Sequence, residues 1–500
     1  MSAFQHIPLG ESVPQSPHAV VVSLPTIADV IGYEERRPET MDIVRTGYPR
    51  FVQHPFITEA ARKLAEESHM GTRAQFPVAS TAAALRIIEI LGVDDAGITE
   101  AEGWVLLHLT PNDPELARHA GKIIQHAGLG ISSRQAEDWL VAHGYRAAIA
   151  SETLYSGDAS AAVRQALAPL LSPVVPDEIL LCHSGMSAIF AAVTAARTVQ
   201  RPLGRTLWLQ LGWLYADTTE VFRKCLPADE EFFVLDNVFD KAAIEAFFEK
   251  NGSRLSAIIT EAPTNPLMQT LDFAWLSALA RRHGVLCILD PSTSSLVNVN
   301  LLPYADMLVT SLTKYAANES DVMMGAFAAN PASPAHTTLL ATARHTHTPA
   351  YHRDIARLAA QINAMSDVTA RINANTTRLV AWLERQPAVR RVHWAGSADS
   401  AAHYAAIVRP SGGPGCMLSI ELNIPMARFY DRIKTVKGPS FGTRFTLVSP
   451  FIYMAHYDLV TSAPARRELL KRGIDPELIR ISTGTEPADE LEAVFAEALA

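Results

Sequence analysis

Ala305-Asp306-Met307-Leu308-Val309-Thr310-Ser311-Leu312-Thr313-Lys314-Tyr315 is the stretch on which the fold turns. It begins as an apolar, β-branched run and ends in small hydroxyls and one lysine. That pattern predicts a buried strand which stops at a polar loop. A lysine at such a strand end is partly desolvated, which lowers its pKa and frees a nucleophilic amine. Upstream, Val285-Leu286-Cys287-Ile288-Leu289 reads as a second strand and ends in Asp290. An acid and a lysine at the ends of two neighbouring strands suit pyridoxal 5'-phosphate (PLP). The lysine would form the Schiff base, and the acid would keep the pyridine nitrogen protonated so that the ring is an electron sink. Plainer readings compete. A lysine after a strand is commonly a solvated loop residue. Ser311-x-x-Lys314 also matches the penicillin-binding enzymes, but their Ser-Asp-Asn and Lys-Thr-Gly partners are missing, since Val322 follows Ser320-Asp321.

Around this stretch the chain alternates strand and helix. Strands are predicted at residues 178–182, 206–211, 231–235, 257–260, 285–289 and 306–310. Helices are predicted at 187–198, 241–250 and 273–283. Repeated βα units imply an α/β fold with a mostly parallel central sheet. Ligands of such sheets bind beyond the carboxyl ends of the strands, where Asp290 and Lys314 fall. After Gly325 the pattern changes to a long helical run over 351–386, strands at 417–422, 444–448 and 478–482, and a closing helix at 490–500. This reads as a smaller α+β domain. Residues 1–30 read as an extended arm and residues 56–150 as a helical region, with breaks at Gly92, Pro111 and Gly128–Gly130 and junctions at Met70-Gly71 and Gly144-Tyr145. The expected division is 1–150 for the arm and helical extension, 151–330 for a cofactor-binding large domain and 331–500 for a small domain.

Composition narrows the class. The chain has 500 residues, 48% of them hydrophobic, which supports large buried cores, and a net charge of −9, which speaks against non-specific nucleic-acid binding. The four cysteines are widely spaced and form no Cys-x-x-Cys pair, so neither a zinc knuckle nor a disulfide framework is implied. No secretory signal or membrane-length apolar run is visible, which makes a soluble cytoplasmic protein the expectation. His345, His347 and His352 lie in a Thr/Pro-rich stretch without a nearby carboxylate and read as surface residues rather than metal ligands.

Further residues complete a constellation. Ser184-Gly185-Met186, between a strand and a helix, exposes backbone N–H groups suited to phosphate. Leu214-Tyr215 follows another strand and offers a ring to stack on a flat cofactor. Glu261-Ala262-Pro263-Thr264-Asn265-Pro266 places Asn265 where it could donate to a phenolic oxygen, although Asn-Pro also marks a turn.

The order of these motifs resembles that of the Cys/Met-metabolism PLP-dependent enzymes, closely over 176–330 and more loosely over 375–500. Gly185-Met186 resembles the family's phosphate loop, and Leu214-Tyr215 its cofactor-stacking Leu-Tyr. Glu261 to Pro266 resembles Glu-Ser/Thr-Pro-x-Asn-Pro, and Asp290 the acid of Val-Asp-Asn. Ser311-Leu312-Thr313-Lys314-Tyr315 resembles Ser-Ala-Thr-Lys-Tyr, in which Ser and Thr hold the phosphate. Leu478-Ile479-Arg480-Ile481-Ser482-Thr483-Gly484 resembles the segment whose arginine forks onto the substrate α-carboxylate. Tyr48-Pro49-Arg50 is similar to Tyr-Ser-Arg, which reaches the phosphate of a neighbouring subunit.

The resemblance implies the aspartate-aminotransferase-like fold (fold type I) and a cofactor site made of Tyr48, Arg50, Gly185, Met186, Tyr215, Asn265, Asp290, Ser311, Thr313 and Lys314. It implies Lys314, Tyr215 and Asp290 as catalytic residues, Arg480 and Tyr48 as substrate contacts, and a homodimer or homotetramer with shared sites. The long N-terminal part looks like the fungal type of cystathionine γ-synthase. The activity so implied is replacement of the γ-substituent of an O-acylhomoserine by cysteine. The runner-up is a γ- or β-lyase releasing ammonia and a keto acid, and a third reading is a non-enzymatic binding subunit, against which the intact Asp290 and Lys314 speak. Two departures bear on specificity. Gly442-Thr443-Arg444-Phe445-Thr446-Leu447 stands where the family has Gly-Gly-x-Glu-Ser-Leu, and Pro291-Ser292-Thr293 where it has Asn-Thr-Phe after the acid.

Overall fold

A computed structural model describes residues 4–48, 50–69, 74–109 and 113–500. Met70-Gly71, Pro49 and Pro111, singled out above, lie outside the described residues. The centre is a seven-stranded sheet. Its order runs Leu180–Cys182, Gly325–Ala329, Met307–Ser311, Leu286–Asp290, Leu255–Glu261, Leu207–Leu211, Glu231–Leu235. Only Gly325–Ala329 is antiparallel to its neighbours; the other ladders are parallel. Leu207–Leu211, Leu255–Glu261 and Leu286–Asp290 are buried throughout, as expected of strands covered on both faces. Helix Gly185–Gln200 starts where the Ser184 hydroxyl accepts from the Ser187 N–H and continues through an alanine-rich, buried face. The second body carries helix Met365–Leu383 and a five-stranded sheet in the order Val389–Trp394, Met417–Leu422, Ile479–Ser482, Leu447–Pro450, Val436–Lys437.

The region before the large sheet corrects the sequence reading. Residues 56–150 are not simply helical: Ala74–Val78, Ala96–Ala101 and Trp104–Leu109 form a three-stranded antiparallel sheet between helices Pro55–Glu67, Thr81–Leu91, Pro114–Ala127 and Ser133–Ala142. The run at Trp104–Leu109 is apolar at nearly every position, and periodicity does not separate such a buried strand from a buried helix. This extension shares a core with the large body. Val78, Ile87, Leu107, Ile123 and Ala127 are buried in one cluster with Met186, Ile189, Phe190 and Val193 of helix Gly185–Gln200. Among the described residues no helix is long and apolar enough to cross a membrane.

Two further seams tie the N-terminal part to the rest. The arm lies across both bodies: the Val20 N–H donates to the Ser320 carbonyl at 2.9 Å, Leu24 N–H to the Lys437 carbonyl at 3.0 Å, and Lys437 Nζ to the Pro25 carbonyl at 2.7 Å. The second seam is a buried charge network. Arg134 contacts Glu152 at 2.7 Å and Asp354 at 2.9 Å, while Arg353 contacts Glu137, Asp138 and Glu152. His18 completes it, with Nε2 3.1 Å from Glu137.

Burial alone would raise the Glu137 carboxyl, but hydrogen bonds from His18, Arg353 and the Ala150 N–H outweigh it and push the pKa down to about 2. The folded value lies below the ordinary 4.5. The ionised pair therefore stabilises fully above about pH 4.5, and its contribution falls away as the pH drops towards 2. Glu137→Gln is expected to cost about 3–5 kcal/mol near pH 7, as for removing one partner of a buried pair. The difference from wild type should shrink below pH 4, which urea midpoints across pH would measure.

Candidate active site

The strand ends gather the predicted residues. Lys314 follows the carboxyl end of Met307–Ser311 and is 9% exposed. Its Nζ donates to Ser440 Oγ at 2.7 Å and lies 4.9 Å from the ring centres of Tyr48 and Phe441. Burial, aided by the nearby Arg480 and Arg50 cations, pushes its pKa down to about 7. Near neutral pH a large share of this amine is unprotonated.

Asp290 ends the adjacent strand, in register with Glu261 of the next. The Ser292 N–H and hydroxyl both donate to Asp290 Oδ1, at 2.8 and 2.5 Å. Oδ2 has no hydrogen-bond partner among the described residues, and Asp290 lines the cavity that also holds Lys314. Burial raises Asp290 to about 6 against the lowering by Ser292. Glu261 is driven well above its ordinary value by burial and by the Asp290 charge, although the Tyr215 N–H donates to its Oε1 at 2.6 Å. The negative charge of the pair therefore sits on Asp290.

The opposite end of the cavity is a cradle for an anion. Gly185 and Met186 line it in the first turn of their helix, where N–H groups have no partner within the helix. A Cβ on Gly185 would lie 3.1 Å from Ser311 Cβ, so glycine permits the close approach of helix and strand. Ser311, Tyr48 and Arg50 line the same space. The Arg50 guanidinium donates to Asp217 Oδ2 and to the Tyr215 hydroxyl, each at 2.6 Å, and to the Gln125 carbonyl at 2.9 Å. Its buried Nε has no partner among the described residues. Burial holds the Tyr215 phenol neutral by raising it far above its ordinary value. Tyr48 and Arg50, which the resemblance assigns to a site shared between subunits, line this cavity, and Tyr48 clusters with Val20, Met323 and Leu447.

Arg480, on strand Ile479–Ser482, closes the cavity on the small-body side. It contacts the Ser440 carbonyl at 3.2 Å and Asn265 Oδ1 at 3.4 Å, and it pairs with no carboxylate among the described residues. Its guanidinium lies 4.8 Å from the Phe451 ring centre. Burial lowers its pKa to about 10, which leaves it charged at neutral pH. It is a free cation open to a carboxylate.

One expected residue stands apart. The Thr313 hydroxyl accepts from the Met324 N–H at 3.1 Å and lies 3.3 Å from the Met324 carbonyl, so it ties two loops together and is not among the cavity-lining residues. Other residues escaped the sequence reading. Ser440, which touches Lys314, has a φ of 137°, a strained value for a residue with a side chain. Asp217 and His126, 3.0 Å apart, stand behind Arg50. Ser440 lies just outside the Gly442–Leu447 segment that the sequence singled out, and nothing in local pattern links Asp217 to His126.

The donor set fits PLP. An anion cradle with an unpartnered arginine Nε, a carboxylate with one oxygen free and a weakly basic lysine line one cavity. They match the phosphate, pyridine nitrogen and aldehyde of the cofactor.

Comparisons agree. Over 97% of its length the chain is 39% identical to L-2-amino-4-chloropent-4-enoate dechlorinase/desaturase of Streptantibioticus cattleyicolor, covering 97% of that protein. It is 27% identical to cystathionine gamma-synthase of Neurospora crassa over 98% of both chains. The fold matches crystalline cystathionine gamma synthase of Xanthomonas oryzae pv. oryzae with a TM-score of 0.58 at 22% identity, covering 69% of this chain and 86% of that one. The family model of the Cys/Met metabolism PLP-dependent enzymes matches residues 160–500, and with the site assembled at the strand ends this chain is a member of that family.

Proposed function

We propose that the protein removes the γ-substituent of an α-amino acid whose side chain is apolar, by PLP-dependent elimination. The reading rests on the charge inventory of the cavity. Among its described lining residues the cations are Arg50, Lys314 and Arg480, and Arg50 is already paired with Asp217. Arg480 is thus one anchor for one α-carboxylate. Around it stand Phe441, Phe451, Met454 and Ala455. That wall suits an apolar side chain and offers no counter-charge to a second amino acid such as cysteine.

In this reading Arg480 binds the α-carboxylate and Tyr48 lines the same space. Lys314 Nζ takes the proton from Cα, and its pKa near 7 suits it to give and accept protons at neutral pH. Ser440 steadies that amine through its hydroxyl. Asp290 would hold a proton on the pyridine nitrogen, and the Tyr215 ring, which lines the same cavity, would be available to stack on the cofactor. When bound, PLP supplies the electron sink for charge developing at Cα. The phenyl rings and Met454 keep water from the side chain. The dechlorinase/desaturase relative supports this, since the substrate in its name carries chlorine on C4, the γ-carbon.

A second reading, γ-replacement by cysteine to give cystathionine, is supported by the end-to-end similarity to the Neurospora crassa synthase. The purified protein should be offered L-2-amino-4-chloropent-4-enoate, O-acetylhomoserine and O-succinylhomoserine, each with and without cysteine. Chloride, ammonia, keto acid and cystathionine are then measured. Elimination predicts loss of the γ-group at the same rate in both series. Cystathionine formed only with cysteine, and no product without it, would overturn elimination in favour of replacement.

A further inference from the structure

We propose that Tyr315 is a positioning residue: its hydroxyl and backbone N–H fix the spacing between Lys314 on the large body and Arg480 on the small one. The reading of Lys314 as the amine that takes the Cα proton sets a geometric demand. A substrate held by Arg480 through its α-carboxylate must present Cα within reach of Nζ, although the two residues stand on different bodies. Arg480 does not supply that register itself, because its contacts to Ser440 and Asn265 are long, at 3.2 and 3.4 Å. Tyr315 follows Lys314 directly and is 1% exposed. Its φ of 56° lies in the left-handed region, uncommon for a bulky residue, and the chain turns sharply there: the Ala316 N–H donates to the Lys314 carbonyl at 2.5 Å. Lys314 thus reaches the cavity, while the Tyr315 side chain ends between the two bodies.

Three bonds meet at this residue. The Tyr315 hydroxyl donates to the Thr293 carbonyl at 2.8 Å and accepts from the Cys416 N–H at 2.9 Å, and the Tyr315 N–H donates to the Gly442 carbonyl at 2.9 Å. Thr293 lies three residues after Asp290, and its own hydroxyl donates to the Pro263 carbonyl at 2.6 Å, so the first bond reaches the loops that carry Asp290 and Asn265. Cys416 immediately precedes strand Met417–Leu422, which pairs with the strand bearing Arg480. Gly442 stands two residues after Ser440, which touches Lys314 Nζ. One residue therefore joins the acid's loop, the anchor's sheet and the loop beside the amine. The approach at Gly442 excludes a side chain: its φ is 74°, and a Cβ there would sit 2.7 Å from the Tyr315 nitrogen. Cys416 Sγ also lies 3.1 Å from the hydroxyl. Burial raises the phenol far above its ordinary value, so it keeps the hydrogen that it donates.

The inference rests on Lys314 as the base, a step common to elimination and replacement, and not on the choice between them. Tyr315→Phe removes a single oxygen. The holoenzyme is given L-norvaline, an apolar amino acid without a γ-leaving group, in deuterium oxide. At saturation the variant should exchange the Cα hydrogen about tenfold to a hundredfold more slowly than wild type, as for a small misplacement of reacting groups, with KM moved by no more than about threefold. A second reading needs no cofactor. The charged and titratable groups around Lys314 are Arg480, Arg50, Tyr48 and Cys416. In apo wild type, acetylation of Lys314 by acetic anhydride, followed by peptide mass spectrometry, should rise through a midpoint near pH 7. In apo Tyr315→Phe the small body loosens, water reaches Nζ and the midpoint should move up by about one pH unit or more. Placing 4-aminophenylalanine at this position, which keeps a donor and an acceptor, should restore both readings. Exchange and midpoint as in wild type in a folded Tyr315→Phe protein would overturn the proposal, even if its stability fell, and so would defects that the amine does not rescue. The apoprotein reading decides the matter even if wild type leaves norvaline unexchanged, a result that would count against Lys314 as the base.

Discussion

Lys314→Ala is expected to abolish turnover, by about 10^4-fold or more, because in the proposed reading the residue both holds the cofactor and moves the substrate protons. Borohydride reduction of wild type should fix PLP to Lys314, and the variant should release its cofactor on dialysis. Labelling at any other lysine would refute the assignment. The apoprotein offers a second measurement. The Lys314 pKa of about 7 lies below the ordinary 10.5. Folding therefore penalises the charged amine, with the full penalty below about pH 7 and none above about pH 10.5. Apo Lys314→Met should be more stable than apo wild type near neutral pH, by a few kcal/mol, roughly what burying a lysine costs. That advantage should fade as the pH approaches 10.5. In wild type, covalent capture of PLP should quicken as the pH rises through 7 and then level off. A rate flat across pH 6 to 8 would mean that Lys314 is not desolvated as the structure has it.

Asp290→Asn is expected to keep PLP bound but lose activity by about 10^2-fold or more. An amide at this position still receives the Ser292 hydrogen bonds on its oxygen. It cannot hold a proton on the pyridine nitrogen, so charge at Cα is poorly accepted. Glu261, its neighbour in register, is no substitute, because burial keeps it protonated. The variant should show wild-type cofactor stoichiometry with slowed exchange of the substrate Cα hydrogen for solvent deuterium. Near-normal exchange would mean that another acid performs the task.

Much of this site was legible in the sequence, for a physical reason. Buried parallel strands are written as apolar runs, and the residue that breaks each run falls at the ligand-binding edge. Asp290 and Lys314 are such residues, and Arg480 interrupts an otherwise apolar strand. The extension was harder. Ala96–Ala101 is short of β-branched residues, and Trp104–Leu109 shows no alternation, so neither declares itself a strand. Arg50 stood out in the sequence only through the family motif, because its partners Gln125 and Asp217 lie 75 and 167 residues away. Thr313 shows the limit of a motif: its position matches, yet Met324 takes its hydroxyl.

The arm across the two bodies also sets an order of events. Leu24 and Pro25 are held by Lys437, and the Tyr430 hydroxyl donates to the Leu24 carbonyl at 2.7 Å. Leu24 and Pro25 therefore leave the ribosome 406 and 412 residues before the side chains that hold them. Throughout synthesis Val20, Val21 and Leu24 are apolar residues without a home. Tyr48, which follows them, gains Val436 and Leu447 as neighbours only once those residues have been made. Every growing chain thus carries an exposed apolar segment until Val436 and Leu447, which pack against Val20 and Val21, have been made.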